Sequence, residues 1–172
     1  MARTTFLAPE KLQTQRLVLR HLTPADHPAY AALLSDPEVT RYMGTGAAIT
    51  SDLAWRSMAS LLGHWQMLGY GIWGVALKDG PLIGHAGFID FPGWPGFELA
   101  YMFGKAYWGH GYAREAAGAA LQVAREDLMR ERVISLIREQ NAASIKLAQG
   151  LGAVREGQVE LMGSSAEVYV YA

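Results

Sequence analysis

A short loop with two glycines, Trp108-Gly109-His110-Gly111-Tyr112-Ala113, joins a strand-like run to an alanine-rich helical run. Glycine lets the backbone approach a ligand closely and adopt angles that other residues avoid. The first N–H groups of a helix have no partner inside the helix, and the helix dipole adds partial positive charge there. The loop therefore indicates either an anion site suited to a pyrophosphate or, more simply, a tight strand-to-helix turn.

The loop does not match the two most familiar phosphate-binding glycine motifs. No Gly-Lys-Ser/Thr follows it, as a Walker loop requires. It also does not follow the first strand of a parallel unit, where the dinucleotide-binding fingerprint lies. Its meaning therefore depends on the elements around it.

Hydrophobic periodicity predicts seven strands and four longer helices along the chain. The strands are predicted at residues 16–20, 72–77, 82–91, 97–103, 133–137, 154–161 and 168–171. The helices are predicted from Thr23 to about residue 36, from Thr50 or Ser51 to Met67, and at residues 112–127 and 141–151, with a short helical turn at 39–42. Residues 1–12 resemble a loose lead-in. This order predicts one α/β (α+β) domain over residues 1–172, with a mixed, mostly antiparallel sheet of about seven strands and helices on both faces.

Composition argues against several classes of function. A formal net charge of −1 argues against direct binding of nucleic acid through its phosphates. The absence of cysteine excludes disulfides, thiol nucleophiles and zinc–thiolate sites. No stretch approaches the roughly 20 apolar residues of a membrane helix. We expect a cytoplasmic protein without a metal, membrane or nucleic-acid partner.

The segment from Phe97 to Ala116, FELAYMFGKAYWGHGYAREA, resembles the acetyl-CoA-binding segment of the GNAT N-acetyltransferase superfamily. Four more segments, TQRLVLRHLTPAD, DPEVTRYMG, PLIGHAGFID and NAASIKLAQGLGA, resemble other parts of its branch with the ribosomal-protein N-terminal alanine and serine acetyltransferases. Matches in the same order across nearly the whole chain are more specific than one motif. The resemblance implies the GNAT fold and direct transfer of an acetyl group from acetyl-CoA to a primary amine, on a peptide N-terminus or a small molecule. It leaves open a homodimer and, as an alternative function, a non-catalytic acyl-CoA-binding or regulatory module.

The resemblance also implies a set of cofactor-binding residues, carried over by position. They are Tyr101, Met102, Phe103, Trp108, Gly109, His110, Gly111, Tyr112, Ala113, Arg114, Asn141 and Ser144. The family splays the strand that contains residues 101–103 from its neighbour, so its backbone is expected to pair with the pantetheine arm. The amide of Met102 is the expected donor to the acetyl carbonyl.

Two positions in this set have a second interpretation or depart from the family pattern. Asn141 is expected to contact the pantetheine, but an asparagine there also suits a helix N-cap. Arg114 stands where the branch often has threonine and could supply a charge-assisted contact to a phosphate.

Glu98 and Ser144 are the candidate catalytic residues. Glu98 lies in an apolar strand where burial would raise its pKa toward that of a useful general base; the alternative is a carboxylate at a sheet edge or paired with an arginine. His85 and Asp90 are reserve candidates. Many members protonate the leaving thiolate with a tyrosine where this chain has Ala148, so Ser144 is the candidate donor, directly or through water. A serine that faces solvent or bonds to the helix backbone is equally consistent.

The amine acceptor is the least defined partner. The helices between Thr23 and Met67 and the loop at residues 91–94 are expected to shape its pocket. Four aromatic residues could line this pocket or belong to the core: Trp55, Trp65, Tyr70 and Trp94.

Overall fold

The computed structural model describes residues 7–171, which form eight strands and five helices. The strands are β1 (Lys11–Gln13), β2 (Leu17–Arg20), β3 (Ile72–Leu77), β4 (Leu82–Ile89), β5 (Glu98–Phe103), β6 (Val133–Ile137), β7 (Ala153–Leu161) and β8 (Ser164–Tyr171). The helices are α1 (His27–Leu34), α2 (Pro37–Thr40), α3 (Ser51–Leu68), α4 (Tyr112–Glu126) and α5 (Ala142–Gly150).

The strands form one mixed sheet in the order β1-β2-β3-β4-β5-β6-β8-β7. β5 and β6 run parallel, and the six other neighbouring pairs run antiparallel. The predicted mixed, mostly antiparallel sheet is therefore confirmed, with eight strands in place of about seven. The parallel pair, β5 and β6, lies in the middle part of this sheet.

The additional strand lies within the segment that was predicted to be a lead-in. Residues 1–6 lie outside the described residues, but the rest of the segment is ordered by the sheet. Ala8 is buried, and the amides of Leu7 and Ala8 donate to Gly69 O at 2.8 and 3.0 Å. β1 pairs with β2 over three residues. The prediction was wrong here because three residues, KLQ, are too few to show the alternation typical of a strand.

The sheet is packed on both faces, as predicted, and β5 shows how the two faces differ. Met102 belongs to a cluster with Tyr30, Leu34 and Met58 of α1 and α3. Leu99 and Phe103 belong to a cluster that includes residues of α4 and α5. Because successive side chains of a strand point to opposite faces, Glu98 lies on the same face as Met102, and Tyr101 on the opposite one. We call these the α1 face and the α4 face.

Local signals in the sequence explain where several helices begin. The first helix predicted from Thr23 starts as a 3₁₀ turn, Pro24–Asp26, and continues as α1. The Asp26 carboxylate accepts from the Thr23 amide at 2.7 Å and pairs with Arg20 at 2.7 Å, so it anchors the turn to β2. No helix within residues 7–171 combines the length and the hydrophobicity needed to cross a membrane.

Candidate functional site

β5 and β6 pair at one position only, where Glu98 faces Ile134 and the Ile134 amide donates to Phe97 O at 3.0 Å. Beyond this pair the strands diverge. Among the described residues, β5 continues to Phe103 with β4 as its one strand partner. We call the opening between β5 and β6 the fork. It is the splayed pair of strands that the resemblance implies.

The register between β4 and β5 decides which backbone groups of β5 point into the fork. The Gly104 amide donates to Ile83 O at 2.9 Å. Antiparallel strands exchange hydrogen bonds at every second residue, so the N–H and C=O of Met102 also point at β4. The backbone groups of Tyr101 and Phe103 point at the fork. The predicted donor to the acetyl carbonyl, the Met102 amide, therefore does not fit the register.

The parallel ladder between β5 and β6 breaks at one backbone hydrogen bond, and the side chains of Glu98 and Ser135 bond to the two groups that would have formed it. In a continued ladder the Leu136 amide would donate to Leu99 O. Here the Leu136 amide donates to Glu98 Oε1 at 3.2 Å, and Ser135 Oγ donates to Leu99 O at 2.6 Å. Both halves of the broken bond thus have a partner, which offsets the cost of separating the strands.

Glu98 is buried, as predicted, with 7% of its surface exposed. Its carboxylate accepts from the Leu136 amide and, at 2.8 Å, from the Trp94 indole N–H. These partners are neutral donors, so the predicted alternative of an arginine pair does not describe its contacts. Burial raises the pKa of Glu98 to about 7, against the two hydrogen bonds, which favour the charged form. A carboxyl group with this pKa suits a general base at neutral pH.

A second polar cluster lies on the α4 face of the fork. Ser135 Oγ is 3.0 Å from the Tyr171 hydroxyl, and the Tyr101 hydroxyl donates to Ser144 O at 3.3 Å. The two tyrosine hydroxyls also interact with each other. Burial raises the pKa of Tyr101 and of Tyr171. The cluster connects the base of the fork to the first turn of α5.

The start of α5 carries the two other predicted residues. Asn141 is its N-cap, and Asn141 Oδ1 accepts from the Ser144 amide at 3.2 Å. The capping interpretation of Asn141 is thus realised, and its contact with pantetheine stays a prediction. Ser144 is partly exposed. Ala148, at the position of the family's tyrosine, is fully buried and has no group that could donate a proton.

The glycine loop leads directly into α4, as predicted. Gly109 and Gly111 have φ angles of 77° and 80°, a region that side chains with a Cβ rarely adopt. The Glu115 amide makes the first intrahelical bond, to Gly111 O at 3.1 Å. The amides of residues 112–114 precede it and have no intrahelical acceptor. Residues 112 and 113 are half-buried and residue 114 is exposed. A helix start of this kind can bind an anion, and its contact with a pyrophosphate stays a prediction.

Arg16 supports this loop and was not identified from the sequence. Its guanidinium donates to His110 O at 2.8 Å and to Glu115 at 2.7 Å, and it lies 4.6 Å from the centre of the Tyr112 ring. Trp108 closes the loop from the other side, because its indole N–H donates to Phe103 O at 2.7 Å. Arg16 is separated from its partners by more than 90 residues, so no local pattern indicates the contact.

Arg114 is directed at the end of α5, where its Nη2 donates to Gly150 O at 2.9 Å. It therefore links α4 to α5 in this structure, and its contact with a phosphate stays a prediction. No group of three or more His, Asp or Glu side chains within residues 7–171 is arranged to hold a metal ion.

A groove of about 470 Å³ opens where β6 ends. It is lined by residues 41, 42, 44–46, 138–140, 164 and 165. Arg138, directly after β6, donates to Gly44 O, Leu161 O and Ser165 O at 3.4, 3.1 and 3.0 Å. It thus joins the loop between α2 and α3 to the β7–β8 hairpin across the mouth of the fork. The sequence analysis did not identify Arg138, because every residue has a backbone oxygen and no residue type marks these three acceptors.

The reserve candidates and most of the predicted pocket aromatics have structural roles. His85 is buried beside the Tyr30 hydroxyl at 3.0 Å, and burial lowers its pKa to about 4, so it is neutral at neutral pH. Asp90 accepts from the Tyr70 hydroxyl at 3.0 Å. Trp65 and Tyr70 belong to the core, and Trp55 packs edge-on against His27 outside the groove.

Comparison with known proteins agrees with this geometry. The profile of the acetyltransferase (GNAT) domain matches residues 16–154. An uncharacterized N-acetyltransferase, p20, from Bacillus licheniformis is 28% identical over 170 residues, which cover 95% of each chain. The crystal structure of an acetyltransferase from Agrobacterium tumefaciens str. C58 has a TM-score of 0.85 and 29% identity, covering 100% of this chain and 99% of that one.

The predicted branch is represented among the fold neighbours. RimL, a ribosomal L7/L12 alpha-N-protein acetyltransferase solved in complex with coenzyme A, has a TM-score of 0.76 and covers 94% of this chain and 97% of that one. At 14% identity this likeness is one of fold. The family profile covers most of the chain, and the two nearer relatives cover nearly all of it. The chain therefore belongs to the GNAT acetyltransferase family.

Proposed function

We propose that the chain is an acetyl-CoA-dependent N-acetyltransferase that acts on a primary amine in a ternary complex. One observation carries the proposal: β5 begins at the buried Glu98, lines the fork, and leads within a few residues into the glycine loop. A candidate base, a track of backbone groups and an anion site thus follow one another along one segment. An extended molecule with a reactive end and a phosphate end fits this arrangement.

The residues present fit coenzyme A in two places. The amides of residues 112–114 would bind the pyrophosphate, and the space around Gly109 is open where a Cβ would point. The backbone groups of Tyr101 and Phe103 that face the fork would pair with the pantetheine arm, and Asn141 would contact it from α5. The CoA complex of the fold neighbour RimL supports the choice of ligand.

Bound acetyl-CoA would supply a thioester whose carbonyl carbon an amine can attack. Glu98, on the α1 face, would accept a proton from the amine as it attacks. The amide of Tyr101 or Phe103, in place of Met102, would donate to the carbonyl oxygen as negative charge develops on it. The Ser144 hydroxyl would give a proton to the departing thiolate, directly or through water, and would regain one from solvent, while Glu98 would release the amine proton to solvent. No covalent enzyme intermediate is needed.

The acceptor would enter through the groove at Arg138, which lies at the mouth of the fork. Residues 41–46, in the loop between α2 and α3, contribute to the lining of this groove, which supports the proposal that the segment from Thr23 to Met67 shapes the acceptor pocket. The loop at residues 91–94 contributes through Trp94, which holds Glu98, and it does not line the groove. We propose a peptide N-terminus or a small amine as the acceptor.

The test has two stages. Calorimetric titration of the protein with acetyl-CoA should show binding, and absence of binding would reject the proposal. Thiol release should then be measured on a panel of amines that includes Ala- and Ser-initiated peptides, amino acids and small polyamines, with acetyl-CoA alone as the control. We expect thiol release that depends on at least one amine. Light scattering and cell fractionation would test the homodimer and the cytoplasmic location.

A non-catalytic acyl-CoA-binding module is the second candidate. Two observations favour it: Ala148 supplies no acid, and both carboxylate oxygens of Glu98 already accept hydrogen bonds. Binding of acetyl-CoA without thiol release on the whole panel would support this candidate over the enzyme.

A further inference from the structure

We propose that Ser135 is a positioning residue that keeps the fork open for the pantetheine arm. The inference rests on the proposed function, because it concerns the same fork. It assigns a role to a buried polar side chain that takes no part in the proton transfers described above.

Ser135 is a buried hydroxyl in an otherwise apolar strand, and it makes two hydrogen bonds. It is 3% exposed, and its strand, Val-Ile-Ser-Leu-Ile, is otherwise aliphatic. A hydroxyl buried in such a strand is costly unless it is hydrogen-bonded. Ser135 Oγ donates to Leu99 O at 2.6 Å, and with that proton committed it accepts from the Tyr171 hydroxyl at 3.0 Å. Both hydrogen bonds are therefore made. The shorter one ends at Leu99, one residue after Glu98, the last residue of β5 that pairs with β6.

The bond to Leu99 O prevents the ladder from extending by one step. Without the Ser135 hydroxyl, Leu99 O would be a buried acceptor that lacks its donor. The Leu136 amide is the group that a parallel ladder would supply to it, and that amide is now held by Glu98 at 3.2 Å. Its return to Leu99 O would draw β6 toward β5 and free one oxygen of Glu98.

Ser135 and Glu98 therefore act together at the base of the fork. Each holds one half of the ladder bond, so loss of either makes closure by one step more favourable. A closed step would also pair the Tyr101 amide with Leu136 O, which would hide a fork-facing group that the pantetheine arm needs. The ligand would have to break this new bond on binding. The net contribution of one hydrogen bond corresponds to about a fivefold to tenfold change in affinity.

The test is the affinity of the full chain for acetyl-CoA, measured by calorimetry without any acceptor. Ser135→Ala should weaken binding about fivefold to tenfold. Ser135→Thr keeps the hydroxyl and should restore most of the affinity. Tyr171→Phe is the matched control: it removes the other partner of Ser135 and leaves the bond to Leu99 O. It should bind within about twofold of the unmodified protein, a difference smaller than one net hydrogen bond.

Three outcomes separate this inference from the proposed function. If the unmodified protein does not bind acetyl-CoA, the proposed function fails. If it binds and Ser135→Ala binds equally well, or if Ser135→Ala and Tyr171→Phe weaken binding alike, the role of Ser135 is refuted and the proposed function stands. If Ser135→Ala does not fold, Ser135→Cys, which keeps a hydrogen-bond donor at this position but a weaker one, must show weaker binding for the inference to hold.

Discussion

At the scale of single residues, Glu98 has a structural role at the base of the fork and is also the proposed general base. Its Oε1 accepts from the Leu136 amide at the base of the fork, and its Oε2 accepts from the Trp94 indole. An ionised carboxylate offers about four acceptor positions, so two remain for an incoming amine. The residue that stabilises the fork can therefore also act as its base.

Glu98→Gln tests the chemical role. Glutamine keeps the shape and an acceptor for Leu136 but cannot take a proton, so we expect kcat/KM at pH 8 to fall about 10²-fold or more. In the unmodified enzyme kcat/KM should rise with pH through about 7, the pKa to which burial raises Glu98. The variant should lack this rise.

Glu156→Gln, at an exposed carboxylate on β7, is the control and should keep full activity. An unchanged pH profile in Glu98→Gln would remove Glu98 as the base.

Trp94→Phe tests how the environment sets the pKa of Glu98. The indole N–H donates to Oε2 at 2.8 Å and favours the charged form. Its loss should raise the pKa of Glu98 further, so the rise of kcat/KM should move to higher pH. Phe91→Leu is the matched control, because it removes the ring 4.7 Å from Trp94 and leaves the hydrogen bond. A rise at the same pH in both variants would contradict the prediction.

Sequence reasoning identified some site residues and missed others for a physical reason. Burial of Glu98 could be predicted from its apolar strand, and the cap at Asn141 from its position before a helix. The roles of Ser135 and Arg16 depend on contacts between residues far apart in the chain. The prediction for the Met102 amide was wrong because it depends on the register of β5 against β4. The sequence of β5 alone does not show which of its residues hydrogen-bond to β4.

At the scale of elements, the helices and long strands could be predicted because each has a clear period or a clear start. α4 begins at Tyr112 and β6 spans Val133–Ile137, as predicted. The differences lie in short or polar pieces. β1 has three residues, and β8 starts at Ser164, four residues before the predicted start at Val168, because Ser-Ser-Ala-Glu has no apolar alternation. Hydrogen bonding to a neighbouring strand, and not a local sequence pattern, determines that these short or polar segments are strands.

Gly111→Ala tests the loop between β5 and α4. Gly111 has a φ of 80°, which costs a residue with a Cβ about 1–2 kcal/mol, so the loop amides should shift from their binding geometry. We expect weaker binding of acetyl-CoA, measured by calorimetry.

Gly111→Asn should lose less, because asparagine tolerates this conformation. Gly63→Ala is the matched control: Gly63 lies within α3 with open space at its Cβ, and alanine there should raise stability by about 1 kcal/mol without affecting binding. Equal binding by all three variants would argue against the loop as the pyrophosphate site.

At the scale of the whole molecule, two arginines connect parts of the chain that the sheet leaves apart. Arg16, directly before β2, ties the start of this strand to the loop before α4. Arg138 ties the loop between α2 and α3 to the β7–β8 hairpin. The first supports the expected cofactor end of the site and the second the expected acceptor end. The fork lies between them, at the one parallel strand pair that residues 7–171 form.

Arg138→Ala should therefore separate the two substrates. Loss of three bonds to backbone oxygens would loosen the groove, so we expect the KM for the amine to rise severalfold. The affinity for acetyl-CoA should change little, because the hydrogen bonds of Arg138 go to the α2–α3 loop and the β7–β8 hairpin, whereas the glycine loop leads into α4, which packs on the opposite face of the sheet from α1 and α2. Arg132→Ala, an exposed arginine that pairs with Glu156, is the control and should change neither constant. Equal losses for both substrates would show that Arg138 supports the fold in general.

The stability of the whole molecule should depend on pH through two buried groups of opposite sign. The pKa of Glu98 is raised to about 7 from its ordinary value of 4.5, so its contribution to stability is complete below pH 4.5 and is lost as pH rises through 7. The pKa of His85 is lowered from 6.5 to about 4, so its contribution is complete above pH 6.5 and is lost as pH falls through 4. Stability should therefore be greatest at weakly acidic pH.

Glu98→Gln isolates the first of these two effects. Glutamine carries no charge to bury, so the variant should gain stability relative to the unmodified protein as pH rises from 4.5 to 7, by about 3 kcal/mol in all. Urea unfolding at several pH values between 4.5 and 8 measures the gain. Glu156→Gln is the control: Arg132 lowers the pKa of Glu156, so the contribution of this carboxylate changes only below pH 4.5, and the difference between this variant and the unmodified protein should stay nearly constant across the measured range. A difference between Glu98→Gln and the unmodified protein that stays constant across this range would mean that Glu98 is ionised throughout, and the carboxylate would then be too weak a base for the proposed reaction.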